Sequence, residues 1–189
     1  MQLRRIVGVV GALALALSVT SARAQEGEDF NRQGGYAGLG GVYAVSAFQG
    51  ELKDLLGNSM GFQARGGYRL DEIFAVEGLY EYVNDFGAKQ GSGGIWTNHA
   101  SVNGKLILPL DRFQPYLSGG VGFLNANSTH GNSDGGLWAF AGRFSAGTDL
   151  AITEHLALFL DAAYLVPAGG GVVSDLQYFS FGWGGKYLF

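Results

Sequence analysis

The sequence predicts an all-β fold, an eight-stranded antiparallel up-and-down barrel that spans a membrane. Apolar and polar residues alternate with period two in eight segments, and polar or glycine-rich connections separate them. The last segment carries rings at alternate positions: Phe179, Phe181, Trp183, Tyr187 and Phe189. A strand face with so many rings would favour aggregation in water, whereas lipid would accept it. The outer face is therefore expected to meet lipid.

The eight predicted strands are joined by two alternating kinds of connection. The strands cover residues 35–47, 60–69, 73–83, 95–108, 113–126, 137–152, 156–166 and 177–189. Short turns are predicted at residues 69–72, 109–112 and 153–155, and longer segments at 48–59, 85–94, 127–136 and 168–176. Short periplasmic turns and longer outer loops are typical of outer-membrane barrels. This arrangement predicts that both ends of the mature chain lie on the periplasmic side.

The N-terminal segment has the pattern of a secretory signal peptide. Arg4 and Arg5 precede an apolar run from residue 6 to residue 17, and Ala22 and Ala24 offer a cleavage site. We expect residues 1–24 to be removed, residues 25–33 to form a flexible leader, and residues 34–189 to form the barrel. No other apolar run has the roughly 20 residues that a transmembrane helix needs. A membrane span would therefore require a closed barrel.

Charge and composition limit the possible ligands. Loss of the signal peptide removes Arg4, Arg5 and Arg23, which lowers the formal net charge by three, from −4 to −7. An acidic barrel has no electrostatic reason to bind nucleic acid. The sequence has no cysteine, and His130 and His155 are isolated. We therefore predict no disulfide, no metal site and no cofactor.

The placement of aromatic rings indicates which strand face meets lipid. Period two alone also fits a water-soluble barrel with its apolar face inside. At the predicted short-turn ends the rings are Tyr68, Phe74, Tyr187 and Phe189. At the loop ends they are Tyr43, Tyr82, Trp96, Phe123, Trp138, Tyr164 and Phe179. Two belts of rings are typical of the interfacial girdles of a membrane barrel, so the polar face is predicted to line the lumen.

Charged residues on the polar face form the candidate site. They are Arg65, Arg69, Glu77, Glu81, His99, Lys105, Arg143, Asp149 and Asp161. One register of the second and third strands places Arg65 opposite Glu81. The same register places Arg69 opposite Glu77, and a similar one for the sixth and seventh strands places Arg143 opposite Asp161. Because eight strands leave little room inside, we expect packed ion pairs that plug the barrel. The alternative is a gated pore or a proton path.

His99 and Ser101 form a candidate catalytic pair on the fourth predicted strand. Some eight-stranded outer-membrane barrels are lipid A deacylases that use a His-x-Ser pair with a glutamate. Residues two apart on a strand always share a face, so this spacing is weakly informative. By parity both side chains point into the lumen, away from lipid. We therefore predict that the protein is not an enzyme and has no catalytic residues.

The pattern resembles the small outer-membrane β-barrel family that includes the OmpA transmembrane domain, OmpX and the short porin-family proteins. The resemblance rests on the topology, on turns such as residues 68–71, and on the terminal Tyr187-Leu188-Phe189. It implies that Phe181, Trp183, Tyr187 and Phe189 form the signal read by the barrel-assembly machinery. It also implies contact with outer-membrane lipids and lipopolysaccharide, and a monomeric state.

The predicted function is that of an integral outer-membrane barrel with a structural or surface role and an interior plugged by ion pairs. A narrow porin-like channel for small solutes is the first alternative. A lipid A-modifying enzyme is the second.

Overall fold

The chain folds into a closed barrel in which consecutive strands are hydrogen-bonded neighbours. The computed structural model describes residues 30–31, 33–47, 57–87, 94–128, 136–169 and 176–189. The strands are β1 (Gly34–Ser46), β2 (Ser59–Arg69), β3 (Phe74–Gly87), β4 (Gly94–Ile107), β5 (Phe113–Ser128), β6 (Leu137–Ala151), β7 (Leu156–Ala168) and β8 (Tyr178–Leu188). Every pairing is antiparallel, and β8 closes the barrel against β1. This confirms the predicted fold class.

The strand bounds agree with the prediction to within one residue at the short-turn ends, and β2, β3, β4, β5 and β7 extend further toward the loops than predicted. β3 runs to Gly87, beyond the predicted end at residue 83, and its pairing with β4 resumes at Phe86 after a register shift. Such an irregularity bends a strand without ending its pairing. The predicted signal peptide and most of the predicted leader lie outside the described residues. Within the described part of the chain, no helix has the length and apolar character needed to cross a membrane.

The outer surface of the barrel is apolar. Leu39, Val102 and Val121 lie on it with well over half of their surface exposed. The predicted rings also lie on this side: Trp138 and Phe179 are exposed near the loop end, and Tyr68 and Tyr187 near the short turns. Since charges occupy the inner face, the water-soluble arrangement with an apolar interior is excluded.

Inward-facing glycines let large side chains cross the narrow lumen. A Cβ atom on Gly40 would lie 2.0 Å from the backbone oxygen of Trp183 and 2.8 Å from Cζ of Phe159. A Cβ atom on Gly184 would lie 2.7 Å from the same ring atom of Phe159. Glycine at these positions permits both the close approach of β1 to β8 and the inward ring of Phe159.

The registers of two hairpins differ from those predicted. In β2–β3, Arg69 pairs with Ala75 and Arg65 with Leu79, so Arg69 is not opposite Glu77. This hairpin closes more tightly because the Asp71 side chain accepts hydrogen bonds from the backbone nitrogens of residues 73 and 74.

The hairpin between β6 and β7 departs from its predicted register in the other direction. Arg143 pairs with Leu165, and Asp161 pairs with Gly147. The turn is wider than predicted because the hydroxyl of Thr153 accepts hydrogen bonds from the backbone nitrogens of His155 and Leu156. The facing of each strand is unaffected, since both register errors are even numbers of residues.

Candidate functional site

The barrel lumen holds two carboxylates that each bind two cations. Asp161 on β7 occupies the centre of the lumen, and Asp149 on β6 lies nearer the short-turn end. Their four cationic partners are Arg65 on β2, Lys105 on β4, Arg143 on β6 and Lys186 on β8. The side chains of each strand alternate between the two faces of the barrel wall, and these four point inward.

Asp161 on β7 bridges two arginines, one on the neighbouring strand β6 and one on the distant strand β2. Its Oδ1 atom accepts a hydrogen bond from Arg65 Nη2 at 2.9 Å, and its Oδ2 atom accepts one from Arg143 Nη2 at 2.9 Å. The side chains of all three residues are 1–2% exposed. The Arg65 guanidinium also lies 3.9 Å from the centre of the Phe159 ring. Charge-assisted hydrogen bonds are the stronger kind, and a dry surrounding strengthens them further.

The Arg143–Asp161 contact was predicted and is confirmed, although the register used to predict it is wrong. Asp161 lies four positions from the residue that pairs with Arg143. Four positions along a strand span about 13 Å. The long arginine side chain covers this offset.

The predicted pairing of Arg65 with Glu81 is wrong. Arg65 Nη1 lies 3.8 Å from Glu77 Oε1, whereas Glu81 lies 3.9 Å from Arg143. Each glutamate also accepts a hydrogen bond from a buried tyrosine: Tyr36 donates to Glu77 Oε2 at 3.0 Å, and Tyr178 donates to Glu81 Oε1 at 2.8 Å. Because the tighter β2–β3 register shifts Glu81 toward the loops, it reaches Arg143 and Tyr178 and not Arg65.

Asp149 bridges two lysines near the short-turn end. Lys105 Nζ donates to its Oδ2 atom and Lys186 Nζ to its Oδ1 atom, both at 2.6 Å. Lys105 Nζ also lies 3.5 Å from the centre of the Tyr116 ring, a cation–π distance. Lys105 and Asp149 belong to the predicted set of lumen residues, whereas Lys186 does not.

Arg69 closes the short-turn end and does not meet Glu77, so that predicted pairing is wrong. It donates to the backbone oxygens of Asp71 at 3.2 Å and Glu72 at 2.5 Å. It also donates to Gln114 Oε1 at 2.8 Å. Arg69 therefore ties the first turn to β5, and Gln114 is a lumen residue that the sequence analysis missed.

Several missed lumen residues are aromatic. Tyr36, Tyr116, Phe159 and Tyr178 are all buried. The alternation of β8 could have predicted that Tyr178 and Lys186 point inward. Both lie on the same face of the strand as Ser180, and the outward rings of β8 lie on the other face. For Tyr36 and Tyr116, glycines on both faces of β1 and β5 obscured the signal.

His99 and Ser101 point into the lumen as parity predicts, and both are buried. Neither ring nitrogen of His99 has a hydrogen-bond partner among the described residues. Ser101 Oγ accepts a hydrogen bond from Asn103 Nδ2 at 3.1 Å. A histidine base must reach its serine and an orienting carboxylate, and the described hydrogen bonds include no such triad. The barrel wall also separates both side chains from lipid.

The remaining predicted positions are readily located. Among the described residues, no group of three or more His, Asp or Glu side chains could hold a metal ion. His155 lies beside the Tyr187 ring at 5.9 Å, and His130 lies outside the described residues. The residues of the predicted assembly signal are all exposed on the outer side of the barrel: Phe181, Trp183, Tyr187 and Phe189.

Comparison with known proteins gives the same architecture. Residues 12–185 match the family described as outer membrane protein beta-barrel domain. A search of the curated proteins finds no match.

Solved structures with this fold are distant in sequence. Neisserial surface protein A superposes with a TM-score of 0.67 at 18% identity, covering 87% of this chain and 100% of that chain. OprG from Pseudomonas aeruginosa gives 0.65 at 12% identity, covering 86% and 99%. Ail, the attachment invasion locus protein of Yersinia pestis, gives 0.59 at 15% identity, covering 84% and 99% in its complex with a heparin analogue. Likeness at this level of identity shows a common fold.

Proposed function

Because the chain belongs to the outer membrane protein β-barrel family, we propose that it is a closed, non-conducting barrel of the bacterial outer membrane. Its role is structural or at the cell surface, and it performs no catalysis. The N-terminal signal peptide would direct its export. The observation that carries this proposal is the pair of carboxylate bridges across the lumen.

The bridges oppose ion passage because each carboxylate oxygen of Asp161 and Asp149 accepts a hydrogen bond from a cationic side chain inside the lumen. A permeating ion would have to displace Arg65 or Arg143 from Asp161. Such a displacement would leave a guanidinium buried without its carboxylate, which is the costly outcome for a buried ion pair. Asp149 holds Lys105 and Lys186 in the same way closer to the short turns. Two successive barriers of this kind support a closed lumen.

Packing of rings between the charges supports the same conclusion. Phe159 lies beneath the Arg65 guanidinium, and Tyr116 lies beneath Lys105. An eight-stranded barrel is only wide enough for its own side chains to fill. The lumen therefore offers little continuous space for solutes.

Recordings in planar lipid bilayers test this proposal directly. We expect no steady unitary conductance from the refolded wild-type protein. Replacing Arg65 and Asp161 together by alanine should introduce conductance, because it removes one bridge and the side chain that covers Phe159. The matched control replaces the outward Val102 and Val121 by alanine and should stay silent. Steady conductance of the wild-type barrel would overturn the proposal and favour a narrow channel for small solutes.

The partners of this barrel follow from its surfaces. The apolar belt would contact outer-membrane lipids and lipopolysaccharide, and the ring-rich end of β8 would contact the barrel-assembly machinery. The protein is proposed to be a monomer.

Mass analysis of lipid A from cells with and without the protein should give identical spectra, whereas a protein-dependent change would favour a lipid A-modifying enzyme.

A further inference from the structure

The leader residue Phe30 is buried against the short-turn mouth of the barrel, although the polar leader was predicted to be loose. Only 7% of its surface is exposed. The Arg112 guanidinium lies 4.9 Å from the centre of its ring. Phe30 thus leaves water by contact with a turn that lies far from it in sequence.

A clamp of two buried polar side chains holds the backbone of this segment. Gln114 Nε2 donates to the Phe30 backbone oxygen at 2.9 Å and to Asn31 Oδ1 at 3.0 Å. Arg69 Nη1 donates to the same Phe30 oxygen at 3.4 Å. Gln114 and Arg69 are 5% and 4% exposed, respectively.

The clamp is held in place by its own contacts. Arg69 Nη1 donates to Gln114 Oε1 at 2.8 Å, which fixes the orientation of the amide. Gln114 Nε2 also lies 3.0 Å from the backbone oxygen of Asp111, so its two hydrogens are shared among three acceptors. Both side chains are therefore positioned by the barrel, and the leader completes their hydrogen bonding.

A small cavity lies at this mouth, next to the lysine pair. Its volume is about 40 Å³, and its lining includes Phe30, Lys105, Asp149, Ala157 and Lys186. A cavity of this size holds only a few waters. Phe30 is the one leader residue among the described residues that lines it.

We propose that the short-turn mouth is a peptide-binding site and that the leader residues Phe30 and Asn31 are its resident ligand. The ligand class is a turn-forming peptide segment with an aromatic side chain, since residues 30 and 31 lie in a turn. The Gln114–Arg69 clamp binds a backbone carbonyl of that peptide, and Arg112 contacts the ring. The bound leader caps the cavity over the Asp149 bridge, so the mouth is covered in addition to the closure proposed for the centre of the lumen.

The absence of cysteine from the chain allows a direct test. A single cysteine introduced as Ala157→Cys would lie in the cavity wall, and the residue it replaces is only 4% exposed. The folded protein in detergent is treated with a charged thiol reagent, and the labelling rate is measured. The control variant His155→Cys carries its thiol on the exposed turn just before β7.

The expected result depends on the leader. With Phe30 present, the thiol at position 157 should label slowly, and Phe30→Ala should raise its rate at least about tenfold, which corresponds to about 1.4 kcal/mol of protection. Gln114→Leu should raise the rate with the leader sequence intact, because the carbonyl loses its main donor. The thiol at position 155 should label rapidly in every background.

Equal labelling rates at position 157 with and without Phe30 would overturn the proposal. An equal rate after Gln114→Leu would overturn the role of the clamp. Unboiled samples that keep their shifted electrophoretic mobility would show that each variant is folded. Bilayer recordings are independent of these rates: a silent barrel with leader-independent labelling would reject the peptide site and leave the closed lumen standing.

Discussion

Asp161→Ala removes the carboxylate on which the central bridge depends. It leaves the guanidiniums of Arg65 and Arg143 buried, and their next carboxylates lie at 3.8 Å and 3.9 Å. Removing one partner of a buried pair costs about 3–5 kcal/mol, mainly because a charge stays buried without compensation. Each arginine retains one longer carboxylate contact, and Arg65 also keeps its hydrogen bond to Gln63 Oε1 at 2.6 Å, so we expect the loss to fall within this range and not to double it.

The assay is reversible urea unfolding of the barrel in lipid vesicles, followed by tryptophan fluorescence. The matched control is Asp149→Ala, which also removes a carboxylate that binds two cations. Asp149 is 13% exposed at its side chain, against 1% for Asp161. Since Lys105 and Lys186 border the mouth cavity and can recruit water, Asp149→Ala should cost less than Asp161→Ala.

A double-mutant cycle isolates the contact itself. Arg143→Ala combined with Asp161→Ala should show a coupling of about 0.5–3 kcal/mol, as contacting residues do. Removal of one partner of a buried pair costs about 3–5 kcal/mol of unfolding free energy. If Asp161→Ala lowers the unfolding free energy by less than about 1 kcal/mol, the bridge does not stabilise the barrel as a buried pair should. Additive single losses would refute the direct contact.

Three further variants test other parts of the structure. Glu81→Gln should destabilise the barrel less than Asp161→Asn in urea unfolding, since Glu81 is 3.9 Å from its arginine and its main partner is a neutral tyrosine; a larger loss would contradict this ranking. Gly40→Ala should prevent folding, read as loss of the mobility shift between unboiled and boiled samples, because its Cβ atom would lie 2.0 Å from the Trp183 backbone oxygen; normal folding would show that β1 can move away. Val102→Arg should cost about 2–4 kcal/mol in vesicles, whereas Val102→Leu should be nearly neutral, and equal stability of the two would argue against a lipid-facing position.

Alternation predicted the number of strands and the face of each charged residue, because side-chain direction depends only on parity along a strand. Arg65, Glu81 and Asp161 all lie inside as expected. Ion-pair partners were harder to predict, because shifting a register by two residues preserves every face and changes every neighbour. Side chains in the turns set the registers: Asp71 tightens one hairpin, and Thr153 widens another.

Residues missed inside the lumen have a second physical cause. In β1 and β5, glycines occur on both faces of the strand. The sequence around Tyr36 and Tyr116 therefore shows no clear alternation of apolar and polar residues. Their inward position depends on space provided by other strands: a Cβ atom on Gly67 would lie 2.6 Å from the Tyr36 ring, and one on Gly147 would lie 2.6 Å from the Tyr116 ring. Such complementarity between distant segments is invisible to a periodicity within one strand.

The carboxylate bridges also have a consequence for the order of folding. Asp161 joins Arg65 across 96 positions of the chain, and Asp149 joins Lys186 on the strand that closes the barrel. The β6–β7 hairpin can bring Arg143 to Asp161, but the charges of Arg65, Lys105 and Lys186 stay hydrated until distant strands meet. Contacts of such long sequence separation form late and slowly. Dry closure of the lumen and sealing of the β1–β8 seam should therefore be a single cooperative step, and intermediates before it should carry a wet, charged interior into the membrane.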